Sequence, residues 1–510
     1  MNQIIALIAK ERLLHISNGA IRRSKDGGVS SLGDAVIYRN SVYRHGNVIY
    51  FIGTIKGEKN LFLASRDPLS TGITGPTVFE NEIHLKKGDI SYENYLVLKK
   101  NFPFIIPMSL RKKRTTIGCG DRLGKATPGQ LRAIARYDAY PVLAQQSIRE
   151  LTLTKRTYKH VVADAAFLVF QEGYERGYGA DGDHLKTIAD IDTALDAGMP
   201  MITLDLTNVM NPSAAALSDD EVESAFAKLP ADTQNRIVRS YAGKTFRCGS
   251  ETVALSAIEA KRCALMYGAA MDFSKEVNEH IRAKRGTAYD LEISIDETTT
   301  PTLPSHHLYI IKELNHRSVL VNSLAPRFIG EFQKGIDYIG SIDEFERQFR
   351  VHCAIAKANG NYKISVHSGS DKFSAFPIVG KYTGGRLHLK TAGTSWLEAM
   401  RTIAMKNPAL YRSMHEKAFS YAPDALKLYH ITADFKKIPP LDGMKDSDLG
   451  IYLQANESRQ LLHITYGGLL NDSELRAPFF ETLARFEGDH YANLSSHFEK
   501  HLASLGIRKR

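Results

Sequence analysis

A (β/α)8 barrel of the TIM type is the fold this sequence predicts, an α/β architecture with a β-rich N-terminal region, a helical insertion and a C-terminal extension. Three observations point there. From residue 115 onward, short apolar runs alternate with helical segments in the order strand, loop, helix. Eight such runs fall within about 280 residues, which suits a barrel carrying insertions. Ionisable residues gather just after the runs, most densely in GADGDHLKT (179–187) and SVHSGSDK (365–372).

Residues 1–110 read as β-rich or mixed. AVIYRN (35–40), NVIYFIGTI (47–55), NLFLAS (60–65) and YLVLKK (95–100) are short, rich in β-branched and aromatic residues, and divided by Gly, Asn, Asp and Pro. This region carries no chemistry beyond a role in covering a site. The barrel, 111–410, opens on TTIGCG (115–120). YPVLAQQ (140–146) is its second strand, followed by a helix from Thr157 in which Val161, Val162, Ala165, Phe167, Leu168 and Phe170 repeat at helical spacing. YGADGDHL (178–185) is the third strand, and the helix TIADIDTALDAG (187–198) ends on Gly198. In the fourth, PMITLDLTN (200–208), Ile202, Leu204 and Leu206 face outward while Thr203, Asp205 and Thr207 face inward. A helical insertion spans 218–285. YDLEISIDE (289–297), SVLVNSLAP (318–326), YKISVHSGS (362–370) and RLHLKTAG (386–393) complete the set, and WLEAMRTIAMK (396–406) resumes a helix. Residues 411–510 form a mixed extension containing SRQLLHITYGG (458–468). A doubly wound open sheet would not need so many strands, and no glycine-rich dinucleotide fingerprint follows any of them.

The 510-residue chain exceeds what one compact core usually holds, and 43% hydrophobic with 24% charged residues is ordinary globular composition. The net charge of +10 is diffuse. Its one dense basic run, RKKR (111–114), reads as surface charge. Without an aromatic-interleaved basic stripe, a zinc-finger spacing or an RNA-binding sheet signature, no nucleic-acid partner is expected. A positive field would equally concentrate a small acidic substrate. Cys119, Cys248, Cys263 and Cys353 are scattered and form no CxxC pair, which favours reduced thiols. The opening MNQIIALIAKERLLHI lacks a basic leader and a cleavage site, and no apolar run reaches the length of a membrane span. A soluble cytoplasmic protein is expected.

Polar residues at the C-terminal ends of barrel strands converge on one face. The first two strands offer Asp121, Arg122, Gln145, Gln146 and Arg149 there. The third and fourth offer Asp181, Asp183, His184, Lys186 and Asp205. The fifth gives Asp296 and Glu297, followed by His306 and His307, and the sixth gives Arg327. The last two add His367, Ser368, Ser370, Asp371, Lys372, His388 and Lys390. Histidines and carboxylates from several strand ends suit a divalent cation, with zinc, manganese, iron and nickel equally served. Lysine and arginine on the same rim suit a carboxylate or phosphate. The mixture points to a polyol, keto-sugar or sugar acid. His388, within its strand, reads as a core residue, whereas an inward Lys390 needs partners because buried lysines are otherwise rare.

Several long strings resemble the tagaturonate epimerase family: GDRLGKATPGQ (120–130), PVLAQQSIREL (141–151), VFQEGYERGYGADGDHLKT (169–187), DETTTPTLPSHHLY (296–309), LAPRFIGEFQKG (324–335), VHSGSDKFS (366–374) and LKTAGTSWLEA (389–399). The resemblance implies a metal-dependent barrel enzyme that inverts C4 of a keto-hexuronate, interconverting tagaturonate and fructuronate in hexuronate catabolism. One local departure is PSHHL, where His306 stands beside His307 and the family leads us to expect one histidine.

C4 lies two carbons from the C2 carbonyl, so its hydrogen is not acidic. Transient oxidation by a nicotinamide lacks its fingerprint; metal-assisted retro-aldol cleavage of C3–C4 and two-base proton exchange both remain open. On this reading His184, His307 and His367 hold the metal, and Asp183 and Glu297 are the acid–base pair. Arg122, Gln146, Lys186, Arg327 and Lys372 hold the substrate's carboxylate and hydroxyls. Adjacent strand residues face opposite ways, so Asp183 and His184 share a site only if the strand ends near Gly182; otherwise Asp183 or Glu297 becomes a ligand. The rival readings are another metal-dependent sugar-acid isomerase or aldolase, and an inactive carbohydrate-binding barrel.

Overall fold

The computed structural model describes residues 1–17, 19–20, 28–298, 300–391 and 393–510. Residues 18 and 21–27 of the N-terminal region, Thr299 of the loop ahead of His307, and Ala392 after the last barrel strand lie outside the described residues.

Eight parallel strands close into a barrel: β1 (Thr115–Gly118), β2 (Tyr140–Ser147), β3 (Gly179–Leu185), β4 (Met201–Asp205), β5 (Asp290–Ile295), β6 (Val321–Pro326), β7 (Lys363–Val366) and β8 (Leu387–Lys390). Each pairs with its successor, and Leu389 of β8 lies beside Ile117 of β1 to complete the circle. The interior is polar. On β5, Leu291 and Ile293 join the apolar layer beneath the helices, while Asp290 and Glu292 turn inward to hydrogen-bond Leu110 and Ser323. At the base, Lys363 of β7 donates to the Leu110 carbonyl and to Thr116 Oγ1, at 3.2 Å each.

The N-terminal region is an antiparallel eight-stranded sheet whose two long strands, Val48–Ile55 and Glu58–Ser65, are buried on both faces. Within its strand Val48–Ile55, Ile49 and Phe51 pack on the helix Asn2–Lys10, through Ile4, Ile5, Leu7 and Ile8. Tyr50 and Ile52, on the alternate face, pack toward Phe102 and Phe170 of the barrel layer. The sheet therefore covers the outer helix Tyr158–Glu172. One expected strand is a helix: YLVLKK falls within Tyr92–Asn101. Ser91 caps it by accepting from the Asn94 amide, and Tyr95 and Leu98 are buried one helical turn apart.

The stretch expected as a helical insertion holds helices Asp219–Phe226 and Ala231–Tyr241, then a β-hairpin pairing Lys244–Cys248 with Glu251–Leu255. The 29-residue helix Ala257–Arg285 follows and leads back to β5. Among the described residues no helix is long and apolar enough to cross a membrane. The C-terminal extension builds a second apolar core around Trp396, whose indole donates to the Leu462 carbonyl, with Tyr466 and Phe479 packed nearby.

Candidate active site

At the C-terminal end of the barrel, three side chains turn one atom each toward a common point. His184, Asp296 and His367 have ligand atoms all within 4.8 Å of one another. His367 Nδ1 approaches Asp296 Oδ1 to 2.9 Å, yet this buried nitrogen has no partner at hydrogen-bond geometry. His184 Nε2 lies 3.7 Å from the same Asp296 oxygen. The opposite nitrogen of each ring is fixed from behind. His184 Nδ1 meets Asp183 Oδ1 at 2.7 Å, and His367 Nε2 meets Glu292 Oε1 at 2.6 Å. Imidazoles oriented by carboxylates, with their free nitrogens converging on a third carboxylate, match the donor set of a divalent cation and its outer support.

A backbone feature makes this possible. The strand β3 continues to Leu185, so alternation should turn His184 away from Asp183. Instead His184 has φ 55, in the left-handed region, and the register with β4 shifts between Gly182 and Leu185. That irregularity swings His184 to the side Asp183 occupies. For a residue with a Cβ it costs about 1 kcal/mol.

Lys390, inward on β8, ties the supporting carboxylates together. Its Nζ lies 2.6 Å from Asp183, 3.0 Å from Asp181, 3.0 Å from Glu292 and 2.5 Å from Thr203 Oγ1. Burial penalises the Asp183 and Glu292 carboxylates, but Lys390 with His184 or His367 holds both well below the usual carboxylate range. Burial also opposes ionisation of Asp296, which His367 and His184 hold well below that range. Asp181, fully buried, is pushed up to about 6 by burial, against the pull of Lys390. His184 is raised well above its ordinary value by Asp183, and His367 is raised chiefly by Asp296, both against burial. Asp181, Asp183, Glu292 and Asp296 thus share Lys390 and the two imidazoles as their positive partners. Changing Lys390 to Met should leave the buried carboxylates uncompensated and cost about 3–5 kcal/mol in denaturant unfolding; a loss below about 1 kcal/mol would refute this central role.

A cleft opens above the cluster. Asp183, His184, Glu297, His367 and Lys390 line it together with Arg122, Arg149, Lys334 and His463. Past Glu297 it widens toward Arg327, Phe328 and Glu331.

The chain matches the family model described as tagaturonate epimerase over residues 38–505. The chain belongs to the tagaturonate epimerase family. It is therefore an epimerase, of the isomerase class. It is 39% identical over 415 residues to the tagaturonate/fructuronate epimerase of Thermotoga maritima, covering 81% of this chain and 85% of that one. It is similar to the crystal structure of the fructuronate-tagaturonate epimerase UxaE of Cohnella laeviribosi, with 44% identity, a TM-score of 0.90, and coverage of 93% and 97%. A glycerol complex of that enzyme gives 44% identity, a TM-score of 0.89 and the same coverage.

In this member of the tagaturonate epimerase family, the expected site residues divide. Asp183, His184, Glu297 and His367 line one cavity with Arg122. Lys186 reaches its edge, 3.3 Å from Asp205 and 3.9 Å from Glu297. His307 is elsewhere and corrects the expected ligand set. It sits in the first turn of the helix Pro304–His316, fully buried, with its nitrogens bonded to His352 at 2.8 Å and to Tyr362 at 2.7 Å. Its neighbour His306 is bonded to Tyr267. Gln146 shares a face with Gly182, whose missing Cβ would meet Ala194 of a surrounding helix, so the cavity-lining amide is that of Gln145. Lys372 is committed to the carbonyls of Gln333, Ile336 and Ser370, at 2.8, 2.5 and 2.9 Å. Arg327 is bonded to the Thr298 carbonyl and lies 3.6 Å from Glu331, in the wider mouth.

Asp296 and Glu292, passed over as ligand and support, carried a signal: Asp290, Glu292, Ser294 and Asp296 occupy every second position of β5 and its end. A second group, Asp371, His497 and His501, is also compact enough for a cation. His497 Nε2 lies 2.9 Å from Asp371 Oδ1 without a partner at hydrogen-bond geometry, while the other two residues are tied to protein groups. Asp371 pairs with Arg459 at 2.7 Å, and His501 Nε2 accepts the Asp371 amide at 3.1 Å. This group fastens the loop after β7 to the C-terminal extension.

Proposed function

We propose that this enzyme interconverts D-tagaturonate and D-fructuronate by inversion at C4, with a divalent cation held by His184, Asp296 and His367. The observation that carries the metal reading is the convergence of two imidazole nitrogens on Asp296, each ring fixed from behind by a buried carboxylate. The names of the Thermotoga and Cohnella relatives support the substrate pair. The bound cation would polarise the C2 carbonyl.

Inversion then proceeds by cleavage and re-formation of C3–C4. Glu297 is the carboxylate open to the cleft, its side chain 39% exposed against 8% for Asp183. Glu297 takes the proton from the C4 hydroxyl. The C3–C4 bond breaks, its electron pair passing through C3 to the C2 oxygen, and C4 becomes an aldehyde. Rotation about C4–C5 presents the other aldehyde face, C3 adds back, and Glu297 returns the proton to O4. Asp183, bonded to both Lys390 and His184, orients the ligand rather than moving a proton. This reading reassigns half of the expected acid–base pair, because proton exchange at C4 would need two open carriers on opposite faces.

The test is fructuronate deuterated at C4, incubated with metal-loaded protein in ordinary water and followed by NMR. Tagaturonate that keeps its deuterium is the expected product. Loss of the label to solvent would replace cleavage with proton exchange, and absence of tagaturonate would end the epimerase reading.

A further inference from the structure

We propose that the substrate's carboxylate is bound in this cleft by Arg122 and Lys334, with His463 of the C-terminal extension as a third contact. This rests on the epimerase reading and adds which residues take the acid end of the substrate.

Arg122, just after β1, is a buried guanidinium with one arm unused. Its Nε and Nη2 both reach Glu150 at 2.9 Å, and its plane stacks over the Tyr466 ring at 3.7 Å. Its Nη1 is buried and has no hydrogen-bond partner. A buried charged N–H without an acceptor is costly, and a carboxylate oxygen is the acceptor best matched to a guanidinium. Lys334, in the loop after β6, lines the same cavity and makes no ion pair among the described residues. Burial and the neighbouring Arg149 push its ammonium down against the pull of Glu150, Glu297 and Asp296, and an incoming carboxylate would add to that pull.

His463 reaches this cleft from the extension. Its Nδ1 is buried without a partner. The ring lies so close to Gly393 that a Cβ there would stand 1.6 Å from Nε2, which accounts for the glycine in LKTAGTSW. Burial, with Arg122 and Lys334 beside it, holds the imidazole neutral. A neutral ring still offers an N–H donor to a carboxylate.

Substrate chemistry sets the direction. A keto-hexuronate carries its carboxylate at C6, two carbons beyond C4 and at the other end from the C2 carbonyl. With the C2 oxygen toward His184 and His367, C6 is left for Arg122 and Lys334, which line the same cleft. A neutral ketohexose offers them only a hydroxymethyl group. The cationic group is thus a specificity device, and the barrel alone does not complete it.

The experiment is calorimetric binding of tagaturonate and of D-tagatose, the same chain with a hydroxymethyl in place of the carboxylate, to the metal-loaded full-length protein. The wild type should prefer tagaturonate by about 100-fold, and Lys334→Met should cut that preference by about tenfold with metal content and melting temperature unchanged. Arg122→Lys keeps a charge against Glu150 but loses the free Nη1 arm, and should cut the preference by about tenfold as well. If both variants stay folded and metal-loaded yet keep the wild-type preference within about twofold, the proposal is overturned. Equal weakening for the two sugars overturns it too. NMR turnover by the same wild-type sample tests the epimerase reading separately: an inactive protein that still prefers the acid would end that reading and leave the carboxylate site standing.

Discussion

Replacing His367 with alanine is expected to remove the divalent cation and abolish epimerisation while the protein stays folded. His367 stands just past β7, its side chain 4% exposed, and supplies one of three converging donors. Loss of one donor from a three-residue site typically leaves too little affinity to retain the metal. The barrel survives because Glu292, which loses the imidazole, keeps Lys390 at 3.0 Å and Ser323 at 2.5 Å. Metal analysis after dialysis, a circular-dichroism melt and the NMR assay read the three outcomes together. Full turnover without bound metal would sink the site assignment.

Glu297→Gln is expected to separate chemistry from metal binding. Glu297 lies 3.8 Å from His184 Nε2 and 3.9 Å from Lys186, on the open side of the cluster and outside the donor set. Glutamine preserves shape and removes only the ability to carry a proton. Turnover should fall by about 10²–10⁴-fold while metal content is unchanged. A variant of near wild-type turnover would require another proton carrier, and loss of metal would make Glu297 a ligand.

The barrel was legible because buried parallel strands leave apolar runs of characteristic length, separated by helices with their own spacing. YLVLKK misled for the complementary reason: six apolar and basic residues have no period that separates a strand from a helix, and Ser91 decided the matter. Within the site, nearness to a strand end was legible but direction was not. His307 follows β5 closely, yet Pro304 starts a helix whose first turn aims it between the outer helices and Tyr362. Gln145 and Gln146 exchange roles through strand parity alone. His184 joins Asp183 through a left-handed backbone that no residue type in GADGDHL demanded. Lys334 and His463 come from separate segments, and only packing of the extension brings them to one cavity.

The polar interior of the barrel has a further meaning for how this protein can change. Aliphatic interiors tolerate exchange of one hydrophobe for another, since packing is forgiving of identity when volume is kept. Here Thr203, Glu292 and Lys390 are joined by directed bonds that end at His184 and His367. A substitution near the barrel axis is therefore transmitted to atoms several strands away, and the axis should vary as little as the cleft itself. Freedom to drift lies instead on the outward strand faces, where Ile293 and Leu324 belong to the apolar layer.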